Sequence, residues 1–360
     1  MNLRKRLVFG ACILTLIVTL VYVIVQIMNY QLLPVGTIKP VYQVDGSTYF
    51  CDPGKGDRLI RKSENGEEVI VDEKVHNYCL KKDLLFYSTK TGIYVCNADG
   101  ACKEKVASFS KRADSFEENY GNFFLKDDLF FFTYECSGRE CKVVWYCAYD
   151  KSKDFFEILD KRSFDIEKTL TAASSYSRNT VLWKDRESCF LYQDSSIFRL
   201  DFKNYTMEEL YRSSEDMVIE NACYYPENDC IVFYAHNKNQ ICFGEFQVEN
   251  KTVSKRNMKK VSDEFVADPL IYNESLFCLQ PSGAYFCINM NGEENSGYIS
   301  LFEHGVYHSY FDNDCIMIYN TFRYDAASYQ IIKLQAENLE ESDRIEKVSL
   351  WGRLKSYKAK

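Results

Sequence analysis

Residues 82–100 read KDLLFYSTKTGIYVCNADG, and variants of this stretch recur along most of the chain. Residues 84–87 and 93–96 are short runs of apolar, aromatic and β-branched side chains. Gly, Asn or Asp bounds each run, and Gly100 can supply the positive φ that a tight turn requires. The stretch therefore predicts two antiparallel strands joined by a short turn.

The same unit occurs seven times, as an acidic or Asn-containing turn followed by an apolar strand. These strands begin near residues 47, 84, 129, 189, 230, 276 and 315. A second turn of the same kind follows each strand in step, as in residues 94–100 and 286–292. Repeats of about 40–50 residues are typical of β-propeller blades, whose radial closure protects the sheet edges.

The repeats predict an all-β fold, a seven-bladed β-propeller over residues 40–355. Six blades with an irregular cap is the alternative, because about 60 residues separate the strand onset near residue 129 from the next onset at Cys189.

An apolar run precedes the repeats. Residues 7–28 contain no charged side chain and would form a helix about 33 Å long, enough to cross a bilayer. Arg4, Lys5 and Arg6 precede this run, so the positive-inside rule puts residues 1–6 in the cytoplasm and the bulk of the chain outside. We expect a retained signal-anchor helix in the cell membrane, a stalk at 29–39 and a C-terminal tail at 356–360. A cleaved signal peptide is the alternative.

The charge is distributed unevenly along the chain. The first 28 residues carry +3 and the whole chain carries −8, so the remaining residues carry −11. A net acidic body argues against a nucleic-acid partner or an anionic-membrane surface.

The blade rhythm and three Asn-Gly or Asp-Gly turns, at Asn65-Gly66, Asp99-Gly100 and Asn291-Gly292, resemble bacterial extracytoplasmic β-propellers of unknown function, of the TolB and YWTD kinds. The resemblance covers residues 40–355. It implies an interaction module that binds a protein or a glycan, and it leaves the partner open.

Fifteen cysteines allow two interpretations. Fourteen lie outside the apolar run, an even number that would suit disulfides in an oxidising compartment. Hairpin geometry would allow the pairs Cys96–Cys102, Cys136–Cys141 and Cys223–Cys230. However, several cysteines occupy equivalent positions in different blades, which favours buried, unpaired thiols. A zinc site is not predicted, because no Cys-x-x-Cys is present.

Polar residues in the predicted innermost strands could line a central channel and bind a small polar ligand or a cation. They are His76, Asn119, Asn122, Glu220, Asn221, Asp268 and His308. The alternative is a water-filled channel whose lining is polar for that reason alone.

Catalysis is not indicated by the usual motifs, because no Gly-x-Ser-x-Gly, His-Glu-x-x-His or P-loop is present, and no cofactor is predicted. Asp312-Asn313-Asp314 has the Asp-x-Asp form of metal-dependent glycosyl transfer, but it occupies a repeat turn. A glycan-cleaving enzyme that uses channel-mouth carboxylates such as Glu220 and Asp268 is one alternative function. A structural subunit of a membrane complex is another.

Overall fold

The computed structural model describes residues 19–20, 39–109, 117–138, 141–165, 180–213, 217–260, 268–302, 305–322 and 325–348. These residues form seven antiparallel sheets of four strands each, which we number blade 1 to blade 7. The predicted seven-bladed β-propeller is confirmed, and the six-bladed alternative is wrong. Within the described ranges, no helix is long and apolar enough to cross a membrane. Apart from residues 19–20, the predicted anchor lies outside those ranges.

Each blade consists of four consecutive strands. Blades 1 to 4 contain β1 (Tyr42–Val44), β2 (Ser47–Asp52), β3 (Arg58–Ser63), β4 (Gly66–Val71), β5 (Asn77–Lys81), β6 (Leu84–Thr89), β7 (Gly92–Asn97), β8 (Glu104–Ala107), β9 (Glu117–Lys126), β10 (Leu129–Ser137), β11 (Cys141–Asp150), β12 (Phe155–Asp165), β13 (Thr180–Trp183), β14 (Ser188–Gln193), β15 (Ser196–Asp201) and β16 (Thr206–Arg212). Blades 5 to 7 contain β17 (Val218–Tyr225), β18 (Cys230–His236), β19 (Gln240–Gln247), β20 (Thr252–Lys260), β21 (Asp268–Tyr272), β22 (Ser275–Leu279), β23 (Ala284–Asn289), β24 (Glu294–Tyr298), β25 (Gly305–Asp312), β26 (Cys315–Phe322), β27 (Asp325–Gln335) and β28 (Glu341–Lys347). Every second strand begins within one residue of its predicted onset.

The acidic or Asn-containing turns have a conformational cause. Asp45, Asp127 and Asn313 adopt φ values of 48°, 53° and 45°, in the left-handed region. Asn and Asp tolerate this region better than other residues with a Cβ, because their short side chains can bond the local backbone. The repeated turn chemistry therefore reflects a backbone requirement of this turn in every blade except blade 4, whose turn at 184–187 has no residue with positive φ.

The first strand of each blade is the innermost one, because β5 contacts β9, β13 contacts β17 and β21 contacts β25. The hairpin turns after the first and third strands of each blade all lie on one side of the ring, which we call the turn face. The connections after the second and fourth strands lie on the other side, which we call the loop face.

The core lies between neighbouring blades, in seven apolar clusters that each join two adjacent sheets. Between blades 2 and 3, for example, the buried rings of Phe86 and Phe130 stack with their centroids 4.1 Å apart. Burying one such side chain stabilises the fold by roughly 1.5–3 kcal/mol. The blades therefore depend on each other for stability.

The ring closes without exchanging a strand, since blade 1 and blade 7 each use only their own consecutive strands. On the turn face, the Gln43 N–H donates to the Asp312 carboxylate over 2.8 Å, and the Asn313 amide donates to the Gln43 carbonyl over 2.8 Å. In the interior, the Tyr319 hydroxyl donates to the Cys51 carbonyl over 3.2 Å. The Asp-x-Asp sequence thus contributes to closing the ring.

On the loop face, the same interface is closed by an ion pair. Lys347 Nζ lies 3.2 Å from Asp52 Oδ2, and the Asp52 side chain is fully buried. Asp52 also caps the short 3-10 turn Pro53–Lys55 by accepting from the Gly54 N–H over 2.9 Å. Side chains therefore hold the first and last blades together on both faces and in the interior.

Candidate functional site

The structure places the predicted channel residues on the innermost strands β9, β17, β21 and β25, or directly before β5 in the case of His76. His76 and Asn119 are exposed, and the His308 ring lies 6.2 Å from the Tyr310 ring. The side chain of Asp268 lies outside what the structure describes. Partial desolvation by the surrounding protein, followed by the charges of Lys74 and Lys39, lowers the pKa of the His76 ring.

Two of the seven residues connect neighbouring blades. The Asn122 carbonyl accepts from the Trp183 indole N–H over 2.9 Å, and its side-chain oxygen accepts from the Val181 N–H over 3.3 Å. The Asn221 amide donates to the Pro269 carbonyl over 2.8 Å. Both asparagines lie at irregularities in strand register, where an extra residue re-aims the side chain. Their polar groups therefore stabilise the packing of blade against blade.

Glu220 forms an ion pair with a histidine that the sequence did not single out. Its carboxylate lies 2.9 Å from His236 Nε2, and both side chains are partly exposed. The hydrogen bond that the His236 ring donates to the Glu220 carboxylate raises the pKa of His236, because it stabilises the imidazolium. The second carboxylate of the proposed catalytic pair, Asp268, begins β21 in the next blade.

A cleft of about 920 Å³ opens on the turn face between blades 1 and 2. Its walls are the turns after β1, β3, β5 and β7, and its lining includes Tyr49 and Arg61 from the strands of blade 1. The remaining lining residues are Val44, Asp45, Gly46, Ser47, Ser63, Glu64, Asn65, Asp83, Asn97, Ala98 and Asp99. None of these residues was predicted as a ligand-binding residue, because each turn residue already had a conformational explanation.

The cleft is acidic. Within the described part of the chain, the side chains of Asp45, Glu64 and Asp83 have no ion-pair or hydrogen-bond partner. Asp99 accepts only from the Ala101 N–H, over 2.9 Å. Arg61 is neutralised by Glu68, whose carboxylate lies 2.6 Å from the guanidinium. Three carboxylates are therefore available to accept hydrogen bonds from a ligand.

The cleft belongs to a face of the same sign. The fourteen turns of the turn face contain seventeen Asp and Glu side chains and eight Lys and Arg side chains, a net charge of −9. The described connections of the loop face contain four of each, Lys55, Lys74, Lys90 and Lys238 against Asp57, Asp72, Glu73 and Asp194. Among the described turns and connections, the acidity is therefore concentrated on the turn face.

The six cysteines of the predicted pairs are free thiols in the structure. Cys136 pairs across the sheet with Val143, and Cys141 pairs with Asp165, so these two cysteines do not face each other. Ten of the fourteen described cysteines are buried. Burial raises the pKa of Cys96 to about 11 and that of Cys230 to about 12, so these thiols stay protonated at neutral pH. Among the described residues, no group of three or more His, Cys, Asp and Glu side chains could hold a metal ion.

No known family model matches the chain, and no curated protein matches it in sequence. Solved structures share its fold. An oligogalacturonate lyase in complex with manganese has a TM-score of 0.57 at 8% identity, over 88% of this chain and 89% of that chain. The computationally designed Ika8 protein has a TM-score of 0.51 at 9% identity, over 86% and 88%. Hsv2 from Kluyveromyces lactis has a TM-score of 0.50 at 8% identity, over 85% and 99%. At these identities, the likeness shows the β-propeller fold alone.

Proposed function

We propose that this protein is a membrane-anchored, extracytoplasmic β-propeller that binds a protein or glycan partner through the cleft between blades 1 and 2. The observation that carries the proposal is a group of carboxylates on the walls of one open cleft, those of Asp45, Glu64 and Asp83, which have no ion-pair or hydrogen-bond partner among the described residues. The hairpin turns that contain these residues place the three carboxylates around the same cleft, where one ligand can contact several of them.

The proposed location follows from the charge-free run at residues 7–28 and the three basic residues before it. The helix would cross the cell membrane once, with residues 1–6 in the cytoplasm and the propeller at 40–355 outside. Within this proposal, the chain is one of the bacterial extracytoplasmic propellers of the TolB and YWTD kinds, which the blade rhythm and the Asn-Gly and Asp-Gly turns support.

The chemistry of the cleft limits its partners. Ionised carboxylates only accept hydrogen bonds, so they suit sugar hydroxyls and the Lys or Arg side chains of a protein. A turn face with a charge of −9 repels nucleic acid, so the proposal includes no nucleic-acid partner. The channel residues on the innermost strands stay a second candidate site.

The experiment compares two variants by chemical cross-linking in membranes, affinity capture and mass spectrometry. Asp45→Asn, Glu64→Gln and Asp83→Asn together remove three charges at nearly constant volume. Asn119→Ala alters the channel and leaves the cleft unchanged. We expect the cleft variant to lose the partner that the wild type captures, and the channel variant to keep it. The cleft is refuted as the binding site if only the channel variant loses the captured partner. It is also refuted if the wild type captures neither a protein nor a glycan.

The enzymatic alternative is tested with the same proteins. Glycan cleavage by a pair of carboxylates requires a general acid and a second carboxylate across one bond. Release of reducing ends from envelope glycans by the wild type, abolished by Glu220→Gln, would favour an enzyme over a binding module. A structural subunit of a membrane complex would instead be recovered with the same partners from every variant.

A further inference from the structure

The first described residues of the propeller lie on the loop face. The Lys39 ammonium is 8% exposed and lies 3.1 Å from the Asp57 carboxylate, in the connection between β2 and β3. The Pro40 carbonyl accepts a hydrogen bond from the Tyr78 hydroxyl of blade 2. These contacts fix residues 39 and 40 beside β1, the innermost strand of blade 1. A tether at residue 39 would therefore pull on the loop face near the channel.

The stalk is too short to reach the other face easily. Residues 29–38 span at most about 35 Å when fully extended. A path from β1 to the turn face must cross three inter-strand spacings, about 14 Å, and then run the length of a six-residue strand, about 20 Å. Such a path would use the whole reach of the stalk before any side chain is avoided, so an orientation with the turn face against the bilayer is disfavoured.

The charges favour the same orientation. β28 ends on the loop face at Lys347, and residues 348–360 beyond it contain four basic and no acidic side chains. Anionic lipid head groups attract basic segments close to a membrane and repel acidic surfaces. The loop face, where this segment emerges, therefore suits a lipid surface, whereas the turn face with its net charge of −9 does not.

We infer that the propeller is held with its loop face towards the lipid surface and its turn face directed away from it. This inference rests on the membrane anchor of the proposed function. It means that the mouth of the central channel on the loop face is shielded by the bilayer. The acidic cleft between blades 1 and 2 is then on the side that an extracytoplasmic partner meets.

Two exposed cysteines provide a probe on each face. Cys102 lies in the turn after β7, on the turn face, and Cys141 begins β11, next to the loop face. Nine residues of β11 separate Cys141 from the turn face, a distance of about 30 Å along the strand. Cys141→Ser leaves Cys102 for labelling, and Cys102→Ser leaves Cys141, so the two variants form a matched pair.

The full chain is reconstituted into vesicles of phosphatidylcholine and phosphatidylglycerol, and flotation verifies that it inserts. Energy transfer is then measured from a dye on either cysteine to an acceptor on the lipid head groups. We expect severalfold more transfer from Cys141 than from Cys102, and slower reaction of Cys141 with a bulky, membrane-impermeant maleimide. Equal or reversed values in both measurements overturn the orientation. A chain that does not float overturns the anchor, and with it the inference.

Discussion

The ion pair between Lys347 and Asp52 gives the most direct test of how the ring closes. In Lys347→Met, the buried Asp52 carboxylate would keep the Gly54 N–H as its one hydrogen-bond donor among the described residues. Breaking a buried ion pair costs roughly 3–5 kcal/mol, because it leaves a charge without compensation. Lys347 is 41% exposed, so part of its interaction is screened by water. We therefore expect a loss of about 2 kcal/mol in the free energy of unfolding.

The chain contains a matched control. Lys259 pairs with Glu294 between blades 5 and 6 over 2.6 Å, but the Glu294 side chain is 47% exposed, whereas Asp52 is fully buried. Both lysines also lie over an aromatic ring, at 5.3 Å from the centroid of Tyr329 for Lys347 and 4.7 Å from that of Phe286 for Lys259. Lys259→Met therefore removes the same kinds of contact without burying an unpaired charge, and should cost less than about 1 kcal/mol.

The assay is thermal and chemical unfolding of the purified protein. A loss of about 2 kcal/mol corresponds to a Tm decrease of about 3 °C in a chain of this size, against about 1.5 °C or less for the control. Asp52→Asn in the Lys347→Met background removes the unpaired charge and should recover part of the loss. Equal decreases for Lys347→Met and Lys259→Met would refute the argument that burial of Asp52 makes this pair important.

Further predictions concern acid stability, a turn and a histidine. Hydrogen bonds from Ser152 and Lys153 lower the pKa of Asp150 to about 2. The ionised Asp150 carboxylate therefore stabilises the fold fully above its unfolded pKa of 3.8, and this stabilisation is lost as the pH falls to 2. The stability difference between wild type and Asp150→Asn should shrink over that range in acid titration. Gly283→Ala would place a Cβ 2.1 Å from the Ile299 carbonyl oxygen, at a residue whose φ is +89°. This substitution should lower the free energy of unfolding by about 2–3 kcal/mol. Gly46→Ala, which has open space around it, should lower it by about 1 kcal/mol in the same denaturation assay. The raised pKa of His236 makes its pair with Glu220 stabilising below pH 6.5, and this contribution is lost as the pH rises through the folded value. Glu220→Gln should lower that pKa in an NMR titration.

The repeat spacing predicted the number of blades because the turns impose a local backbone requirement. In six of the seven blades, the second strand follows a turn in which Asp, Asn or a neighbour adopts positive φ, and this requirement is visible in a single sequence. The long interval before Cys189 arises from blade 3, whose strands are 9 to 11 residues long, together with the connection at 166–179. The interval therefore contains longer strands and a longer connection, and no blade is missing.

The cleft could not be predicted in the same way. Asp45 and Asp83 lie in hairpin turns, where an acidic residue has a sufficient local explanation. Whether such a carboxylate also lines a cavity depends on how far apart two neighbouring blades are, which is a tertiary property. Likewise, Asn122 and Asn221 were predicted to line the channel because they lie in innermost strands, but bulges redirect their polar groups to the next blade. Strand register, which the sequence pattern does not specify at bulges, decided that outcome.

The connection from Pro53 to Asp57 lies between contacts to the last blade and to the start of the first blade. Its preceding residue Asp52 holds the end of blade 7 through Lys347, and its last residue Asp57 holds the start of blade 1 through Lys39. Both ends of the described propeller therefore meet at one short segment. In a tethered propeller, a force transmitted through residue 39 would act on blade 1 beside its interface with blade 7. Buried ion pairs at this point resist separation because each would leave an uncompensated charge.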